Sequence, residues 1–288
     1  MKKLILGCGY LGRRVAQAWL EVGHEVLALT RSAKRADAFA ACGISPIVGD
    51  VTSSLDLTDC DDLDTVLFAV GFDRTAGKAI RDVYVDGLRR TLDQLPSLPR
   101  RFIYISSTGV FAQNDGQWVN EQSICEPVRE GGQACLAAEE LLRQHAMTSR
   151  TIILRLAGIY GPDRLPKLRD VIAGKPIVAS ANGYLNLIHV EDAVQIVLAI
   201  EQQLTSPELF VVSDGHPVLR GDFYRELARV SDSPPPRFDE PLADSSTAFR
   251  ASTDKRIDSS RLRERLRFTY RYPSYVEGLV NLLADRRP

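Results

Sequence analysis

Three glycines near the N-terminus have the type and spacing needed to hold a diphosphate. Gly7, Gly9 and Gly12 lie in the segment GCGYLG, after the apolar run Leu4–Leu6 and before residues with helical periodicity. In such a strand–turn–helix unit the first glycine permits a tight turn, the second lets the backbone approach a pyrophosphate, and the third allows close packing of helix and strand. The positive end of the helix then faces the phosphates. The residues predicted to contact a dinucleotide here are Gly7, Gly9, Tyr10, Leu11 and Gly12.

A cationic side chain follows the second predicted strand, residues 25–29, where Thr30, Arg31 and Ser32 come next in the chain. An acidic residue at this point would bind the ribose 2′-hydroxyl of NAD, whereas an arginine binds a 2′-phosphate with two hydrogen bonds. We therefore expect Arg31 and Ser32 to contact the cofactor and NADP to be preferred, with NAD as the alternative. A solvent-exposed helix start would explain the same residues without a ligand.

The elements that position these residues alternate between strands and helices. Continuous apolar runs of strand length recur at 45–48, 65–71 and 101–107, with helical stretches between them. This alternation predicts an α/β fold, a Rossmann-type doubly wound parallel sheet in which ligands bind at the carboxyl ends of the strands. Asp50 is a candidate acceptor for the adenine amine, although it can equally be an ordinary strand end. The further residues expected along this crevice are Asp50, Val51, Ala69, Val70, Gly71 and Ser107.

The chain resembles the extended and atypical short-chain dehydrogenase/reductase superfamily, of the NAD-dependent epimerase/dehydratase type. The similarity runs nearly end to end, and it depends on the order and spacing of several segments rather than on one motif. These segments are GCGYLG (7–12), GDVT (49–52), ISSTGVFA (105–112), CLAAEELL (135–142), RLAGIYGP (155–162), LIHVEDAV (187–194) and FVVSDGHPV (210–218).

The resemblance implies a catalytic serine but departs from the family at the residues that transfer protons. Val110 places Ser107 where the family has the Ser or Thr that polarises a substrate oxygen. The family's YxxxK pair precedes the helix glutamate, and Glu139 fixes its two positions as Gly131 and Cys135. Neither residue matches the pair.

This departure removes the usual acid–base chemistry. Residues at i and i+4 share a helix face, so a lysine there lowers the pKa of the tyrosine from about 10 towards the working range. Gly131 has no proton to give, and a thiol such as Cys135, with an ordinary pKa of about 8.5, is mostly neutral. Packing on the helix is the simpler role for Cys135. Because glycine disfavours helix, we expect the helix to begin after Gly132 and residues 130–132 to form a flexible lip.

Two tyrosines are candidate substitutes for the missing proton donor. Tyr84 falls where many members of the family carry an asparagine near the active site, and Tyr160 follows the strand in RLAGIYGP. A packing role for Tyr84 and a routine turn for Tyr160 are the alternatives. His189, at the end of a strand, is better explained as structural than as catalytic. The four histidines have no metal-ligand spacing, so we predict no metal.

The balanced charge of the chain favours a small molecule over nucleic acid or a membrane as its binding partner. The 288 residues include 36 Lys and Arg against 37 Asp and Glu, so there is no bulk attraction to nucleic acid or to an anionic membrane. No apolar run approaches the ~20 residues that cross a bilayer. Five cysteines without framework spacing favour a reducing cytoplasm. We expect a small-molecule substrate or nucleotide as partner and leave a homodimer open.

The predicted domains are a Rossmann NADP-binding domain and a small substrate-side lobe. The first comprises residues 1–160, with 185–212 returning to it, and the second comprises 161–184 and 213–288. Residues 239–253, rich in Ser, Asp and Ala, read as a loop.

Two functions of different classes fit these features. The first is an NADP-dependent oxidoreductase or epimerase-like enzyme with impaired or unconventional chemistry that uses Ser107. The second is a protein that binds NADP(H) as a sensor or regulator without catalysis. The glycine turn and Arg31 serve both.

Overall fold

The computed structural model describes residues 1–205, 207–239 and 254–284, which form two compact units. Unit 1 consists of Met1–Val110, Glu126–Arg155 and Val194–Phe210, and unit 2 of Phe111–Cys125, Leu156–Ala193 and the remainder from Val211 onwards. Each unit has its own buried core.

A seven-stranded sheet is the centre of the fold, and its strands are the apolar runs of the sequence. They are β1 (Lys2–Leu6), β2 (Glu25–Thr30), β3 (Ser45–Val48), β4 (Leu63–Phe68), β5 (Arg101–Ser107), β7 (Thr151–Leu156) and β12 (Glu208–Val212). The strand β6 (Gln117–Val119) lies in unit 2. Their order is β12-β7-β5-β4-β1-β2-β3, and the four pairs from β3 to β5 are parallel. This confirms the predicted Rossmann-type doubly wound sheet.

Helices follow the strands because their apolar faces need the sheet for burial. In α1, for example, Val15, Ala16 and Trp19 are fully buried. The helices that follow β1 to β5 are α1 (Gly12–Glu21), α2 (Ala33–Ala40), a π-helix (Asp82–Asp86) continuing into α3 (Gly87–Gln94), a 3₁₀ turn (Thr108–Val110) and α4 (Glu130–Gln144). A second 3₁₀ turn (Thr148–Arg150) precedes β7, and α6 (Val190–Gln203) precedes β12.

A buried lysine fixes the start of the strand that carries the glycine turn. Lys3, in β1, is 1% exposed and pairs with the carboxylates of Asp64, at 2.5 Å, and Glu201. Glu201 also accepts a hydrogen bond of 2.6 Å from the indole of Trp19, in α1. Because each of these buried charges has an opposite charge or a donor beside it, β1 and α1 are held at a defined position in unit 1.

Unit 2 is built from short strand pairs and helices. Its paired strands are β6 (Gln117–Val119) with β15 (Lys255–Ile257), β8 (Gly158–Tyr160) with β11 (Leu187–His189), β9 (Ile177–Val178) with β14 (Phe238–Asp239), and β10 (Tyr184–Leu185) with β13 (Val218–Leu219). Its helices are α5 (Leu168–Ile172), α7 (Arg220–Val230), α8 (Ser260–Leu266) and α9 (Tyr275–Ala284).

The two compact units divide the chain differently from the predicted domains, which were 1–160 with 185–212 and 161–184 with 213–288. Residues 111–125 were assigned to the Rossmann domain by sequence but belong to unit 2, because β6 pairs with β15. Residues 156–160 and 185–193 also belong to unit 2, in which β8 pairs with β11, and so do residues 211–212. The predicted loop at 239–253 lies outside the described residues except for Asp239. In the described part of the chain, no helix has the length and apolar character required to span a membrane.

Candidate functional site

The turn after β1 is held together by backbone contacts that only glycine allows. Gly7 has φ +92°, and a Cβ on it would lie 2.3 Å from the carbonyl oxygen of Ala69. A Cβ on Gly12 would lie 2.5 Å from the carbonyl oxygen of Gly7. The N–H of Gly9 donates to that same oxygen at 2.7 Å. Packing within unit 1 therefore explains the glycines at positions 7 and 12.

Gly9 needs another explanation. Among the twenty glycines, which all lie in the described residues, Gly9 and Gly71 alone meet two conditions. Their φ lies outside the left-handed region, and a Cβ on them would have no atom within 4 Å. Both follow the carboxyl ends of neighbouring strands, β1 and β4. Both residues are exposed, and packing does not require glycine at either position, so the missing Cβ leaves the backbone there open to a bound group.

The first turn of α1 presents an environment suited to an anion. Its N-cap residue, Leu11, makes no side-chain hydrogen bond to the helix, and the first turn contains no acidic residue. Arg13 and Arg14 lie there instead, although cations are unfavourable at the positive end of a helix. Arg14 donates to the carbonyl of Tyr10 at 2.8 Å and lies over its ring. A phosphate bound at this end would offset both the helix dipole and these charges.

The residues after β2 supply further positive charge. Arg31 forms an ion pair with Asp73, its Nη2 lying 2.8 Å from Oδ2 of the aspartate. Ser32 caps α2, since its hydroxyl accepts from the N–H of Arg35 at 3.4 Å. Arg35 in turn donates to the carbonyl oxygen of Cys8, in the glycine turn, at 3.2 Å. Arg31 and Arg35 thus belong to the same part of unit 1 as the turn.

The remaining predicted cofactor residues lie at the ends of β3 and β4. Oδ1 of Asp50 accepts from the backbone N–H and the hydroxyl of Thr52, at 2.8 and 2.9 Å. Val51 is buried, while Ala69 and Val70 are half-buried. The N–H of Ala69 donates to the carbonyl of Leu6 at 2.7 Å, which ties the loop after β4 to the end of β1.

Ser107 ends β5, and its hydroxyl oxygen accepts from the N–H of Gly109 at 3.0 Å. With this bond made, the hydroxyl hydrogen is still available to a substrate oxygen. The guanidinium of Arg129 lies nearby, because it and Oγ of Ser107 are both within 4 Å of the point where a Cβ on Gly109 would be. Sequence reasoning missed Arg129, since no spacing rule relates it to Ser107.

The helix α4 begins at Glu130, which corrects the expectation that it begins after Gly132 and that residues 130–132 form a lip. Gly132 is in the helix because its backbone packs on the turn after β5, where a Cβ would lie 2.2 Å from the carbonyl oxygen of Gly109. This contact outweighs the low helix propensity of the two glycines. Gly131 differs, because its nearest neighbour would be Ile80 at an ordinary 3.6 Å.

Cys135 is buried one turn later on α4. Desolvation, and then the neighbouring carboxylate of Glu139, raise its pKa to about 12, so the thiol is neutral at physiological pH. Glu139 is fully buried and accepts from the hydroxyl of Ser106 at 2.6 Å and from Arg155 at 2.7 and 3.0 Å. The positions that carry a tyrosine and a lysine in the resembled superfamily therefore hold no group that ionises near neutral pH.

The two candidate tyrosines have different surroundings. Tyr84 lies in the π-helix, and its hydroxyl accepts from the N–H of Phe72 at 3.1 Å; burial raises its pKa, and Cys135 raises it further. Tyr160 is fully buried in unit 2, donates to the carbonyl of Ser274 at 3.4 Å and packs edge-on against His189. Burial raises the pKa of Tyr160 well above its ordinary value. Its role as a proton donor stays a prediction, and these contacts favour packing.

A comparison with protein-family models identifies the chain. The model of the NAD-dependent epimerase/dehydratase family matches residues 4–213, which is more than half of the sequence. The chain belongs to this family. Protein YeeZ of Escherichia coli K12 is 30% identical to it over 281 residues, covering 95% of this chain and 97% of YeeZ.

Solved structures support the same assignment to the epimerase/dehydratase family. A protein of Silicibacter pomeroyi described as functionally unknown superposes with a TM-score of 0.82 at 26% identity, covering 99% of this chain and 98% of its own. A candidate NAD-dependent epimerase/dehydratase of Methylobacillus flagellatus gives a TM-score of 0.80 at 29% identity, covering 100% and 99%.

The dinucleotide that the family's name implies fits the residues of unit 1. A Cβ on Gly9 or on Gly71 would fill space that is open in this structure. The start of α1, which has no side-chain cap, follows Gly9 in the chain. The described residues contain no group of three His, Cys, Asp or Glu side chains that could hold a metal ion.

Proposed function

We propose that this epimerase/dehydratase family member binds NAD(P)(H) in unit 1, with the diphosphate against the backbone of residues 7–12. The observation that carries the proposal is the open space at Gly9 and Gly71, for which packing within the protein gives no reason. The uncapped, arginine-flanked start of α1 supplies the attraction for phosphate at the same place.

NADP is the preferred form in this proposal. The strand β2 ends without an acidic residue that could bind a ribose 2′-hydroxyl, and the next residues include Arg31, Lys34 and Arg35. Arginine has the planar donor geometry for a phosphate monoester. Replacing Arg31 with Glu should weaken binding of NADPH far more than binding of NADH, and equal losses would remove the case for a 2′-phosphate.

The chemistry proposed around Ser107 is weak or unconventional oxidoreductase chemistry. The nicotinamide, when bound, supplies hydride transfer. Ser107 donates its free hydroxyl hydrogen to the substrate oxygen, and the neighbouring Arg129 stabilises negative charge that develops there. Gly131 and Cys135 transfer no proton at neutral pH, and general acid–base assistance is typically worth ~100- to 10,000-fold in rate. Turnover is therefore slow unless Tyr84, which keeps a hydroxyl hydrogen, supplies the proton.

The second candidate function is an NADP(H)-binding sensor without catalysis. The observation that favours it is the pairing of Gly131, which has no side chain, with a neutral, buried Cys135. Both candidates require the same nucleotide site, so they differ only in whether bound NADPH is consumed.

Calorimetric titration with NADPH and NADH tests the shared part of the proposal. Gly9→Ala and Gly71→Ala should each keep the wild-type melting temperature, because a Cβ at either position meets no protein atom within 4 Å. Each should weaken nucleotide binding by about 100-fold or more, because the new methyl group enters the phosphate space. A wild-type protein that ignores both nucleotides would refute the proposal.

Single-turnover oxidation of bound NADPH separates the two candidates. An enzyme should oxidise NADPH with at least one member of a panel of aldehydes, ketones and keto sugars, and Ser107→Ala should slow that reaction by about 100-fold. Tight binding of NADPH that no carbonyl compound consumes supports the sensor instead.

A further inference from the structure

The ion pair between Arg31 and Asp73 crosses the end of the strand that carries the glycine turn. Arg31 follows the last residue of β2, and Asp73 lies five residues beyond the end of β4. The sheet order places β1 between these two strands. Neighbouring strands lie about 4.8 Å apart, so β2 and β4 are about 10 Å apart, and Arg31 and Asp73, beyond their ends, meet at 2.8 Å. The pair thus joins the residues that follow the two strands on either side of β1.

Asp73 is oriented for this contact by its own loop. Its Oδ1 accepts from the backbone N–H of Thr75 at 3.0 Å and from the Thr75 hydroxyl at 2.6 Å, which leaves Oδ2 to face Arg31. These hydrogen bonds and Arg31 together lower the pKa of Asp73 to about 2, so the carboxylate stays charged throughout the range in which the protein can be studied. Both side chains are also partly exposed, at 52% for Arg31 and 40% for Asp73, so an added ligand can reach them.

We infer that Asp73 competes with the 2′-phosphate of NADP(H) for the guanidinium of Arg31 and thereby sets the preference between NADP(H) and NAD(H). This inference rests on the proposed nucleotide site. A phosphate dianion is the stronger partner for arginine and displaces the carboxylate. NAD(H) has no group that exchanges with Asp73 in this way. The carboxylate therefore reduces the advantage that Arg31 gives to NADP(H), and the protein binds NADP(H) less tightly than its arginine alone would allow.

The test is the change in affinity caused by Asp73→Asn, measured by calorimetry with NADPH and NADH. Asparagine keeps an Oδ1 acceptor for Thr75, so the loop keeps its shape while the charge is lost. We expect the Kd of NADPH to fall by about 3- to 10-fold, because exposed ion pairs contribute modestly, and the Kd of NADH to change by less than about 2-fold.

Asp56→Asn is the matched control. Asp56 makes the same turn with Thr58, accepting from its N–H at 3.2 Å and its hydroxyl at 2.7 Å. No ion pair of Asp56 is found among the described residues. Removing this charge should leave both affinities unchanged.

A double mutant identifies the partner through which Asp73 acts. In the Arg31→Gln background, adding Asp73→Asn should no longer improve NADPH binding, because the competed guanidinium is gone. The same gain with and without Arg31, or an equal gain for NADH, would show a general charge effect and overturn the inference. A loss of NADH affinity in Asp73→Asn would overturn it as well, since Asp73 would then bind the ribose hydroxyls.

Failure of the inference differs from failure of the proposed site. If the wild-type protein binds NADPH or NADH but Asp73→Asn leaves their ratio unchanged, only the competition is wrong. If neither the wild-type protein nor Asp73→Asn binds any nicotinamide nucleotide, the site and the competition are both refuted.

Discussion

The turn after β1 and the start of α4 both depend on glycines, but the glycines do different things. At the first, Gly7 and Gly12 are required by backbone packing, and Gly9 leaves space that the fold does not use. At the second, Gly132 is required by packing on Gly109, and Gly131 merely lacks a side chain where the family carries a reactive one. The comparison agrees with the proposal of a nucleotide site at the turn after β1, and it shows that α4 forms without a side chain that could transfer a proton at residue 131.

The largest expected effect concerns the reactivity of Cys135, because a reactive thiol at this position could replace the missing proton-transfer residue. With a pKa of about 12, its thiolate fraction at pH 8 is about one in ten thousand, against about a quarter for an ordinary thiol. Alkylation of Cys135 by iodoacetamide, followed by mass spectrometry, should therefore be about a thousandfold slower than that of a model thiol. The rate should rise about tenfold per pH unit, because the thiolate fraction grows as pH increases towards the pKa. The exposed Cys42 serves as the internal reference, and equal labelling of both cysteines at pH 7 would show that Cys135 is activated.

The next largest effect is expected from Gly132→Ala. The new methyl group would lie 2.2 Å from the carbonyl oxygen of Gly109, so the start of α4 must move away from the turn after β5. We expect the free energy of unfolding to fall by about 3 kcal/mol in urea titrations. A loss below about 1 kcal/mol would mean that the two backbones are not in close contact.

Glu139→Gln tests whether the deeper part of α4 is fixed independently of its first turn. The carboxylate is the buried partner of Arg155, and its loss removes a counter-charge that lies 2.7 Å from a guanidinium that is 3% exposed. Urea denaturation should show a loss of about 3 kcal/mol. Glu140→Gln, one residue along on the exposed face, should cost less than about 0.5 kcal/mol, because its pair with Arg143 is at the surface. Similar losses in both variants would contradict the conclusion that the buried pair of Glu139 and Arg155 stabilises α4 more than the surface pair of Glu140 and Arg143.

The smallest effect should come from Gly131→Ala. A Cβ at this position makes only an ordinary contact with Ile80, and alanine is the better helix former. We therefore expect a gain of about 0.5 kcal/mol in the free energy of unfolding, opposite in sign to the change at Gly132. A loss of stability in Gly131→Ala would mean that backbone packing requires a glycine at position 131, as it does at position 132.

The parts of the fold that were predicted from sequence are those with local signals. The strand–turn–helix pattern at residues 4–20 and the apolar runs of the other strands identified the doubly wound sheet, because a buried parallel strand is apolar along its whole length. The start of α4 was predicted too late, since a local propensity argument cannot include the contact between Gly132 and Gly109. The predicted domains differ from the two compact units at residues 111–125 for the same reason, because β6 and β15 are far apart in the sequence.

The candidate site shows the same limit. The glycine positions and Arg31 follow from a motif whose physical reasons are local, whereas two side chains were absent from the prediction. Asp73 and Arg31 are 42 residues apart in the chain, and Arg129 is 22 residues from Ser107. The fold brings each pair close together. Neither relation is visible in spacing along the chain.

Cys8 sits between two glycines of the nucleotide turn, where a sulfur atom would normally be a point of oxidative damage. It is 4% exposed, and burial raises its pKa to about 11 despite the nearby Arg35 and Arg13. Peroxides attack the thiolate rather than the thiol, and access matters as well. The turn should therefore stay unmodified under oxidative conditions that inactivate enzymes with exposed, acidic cysteines.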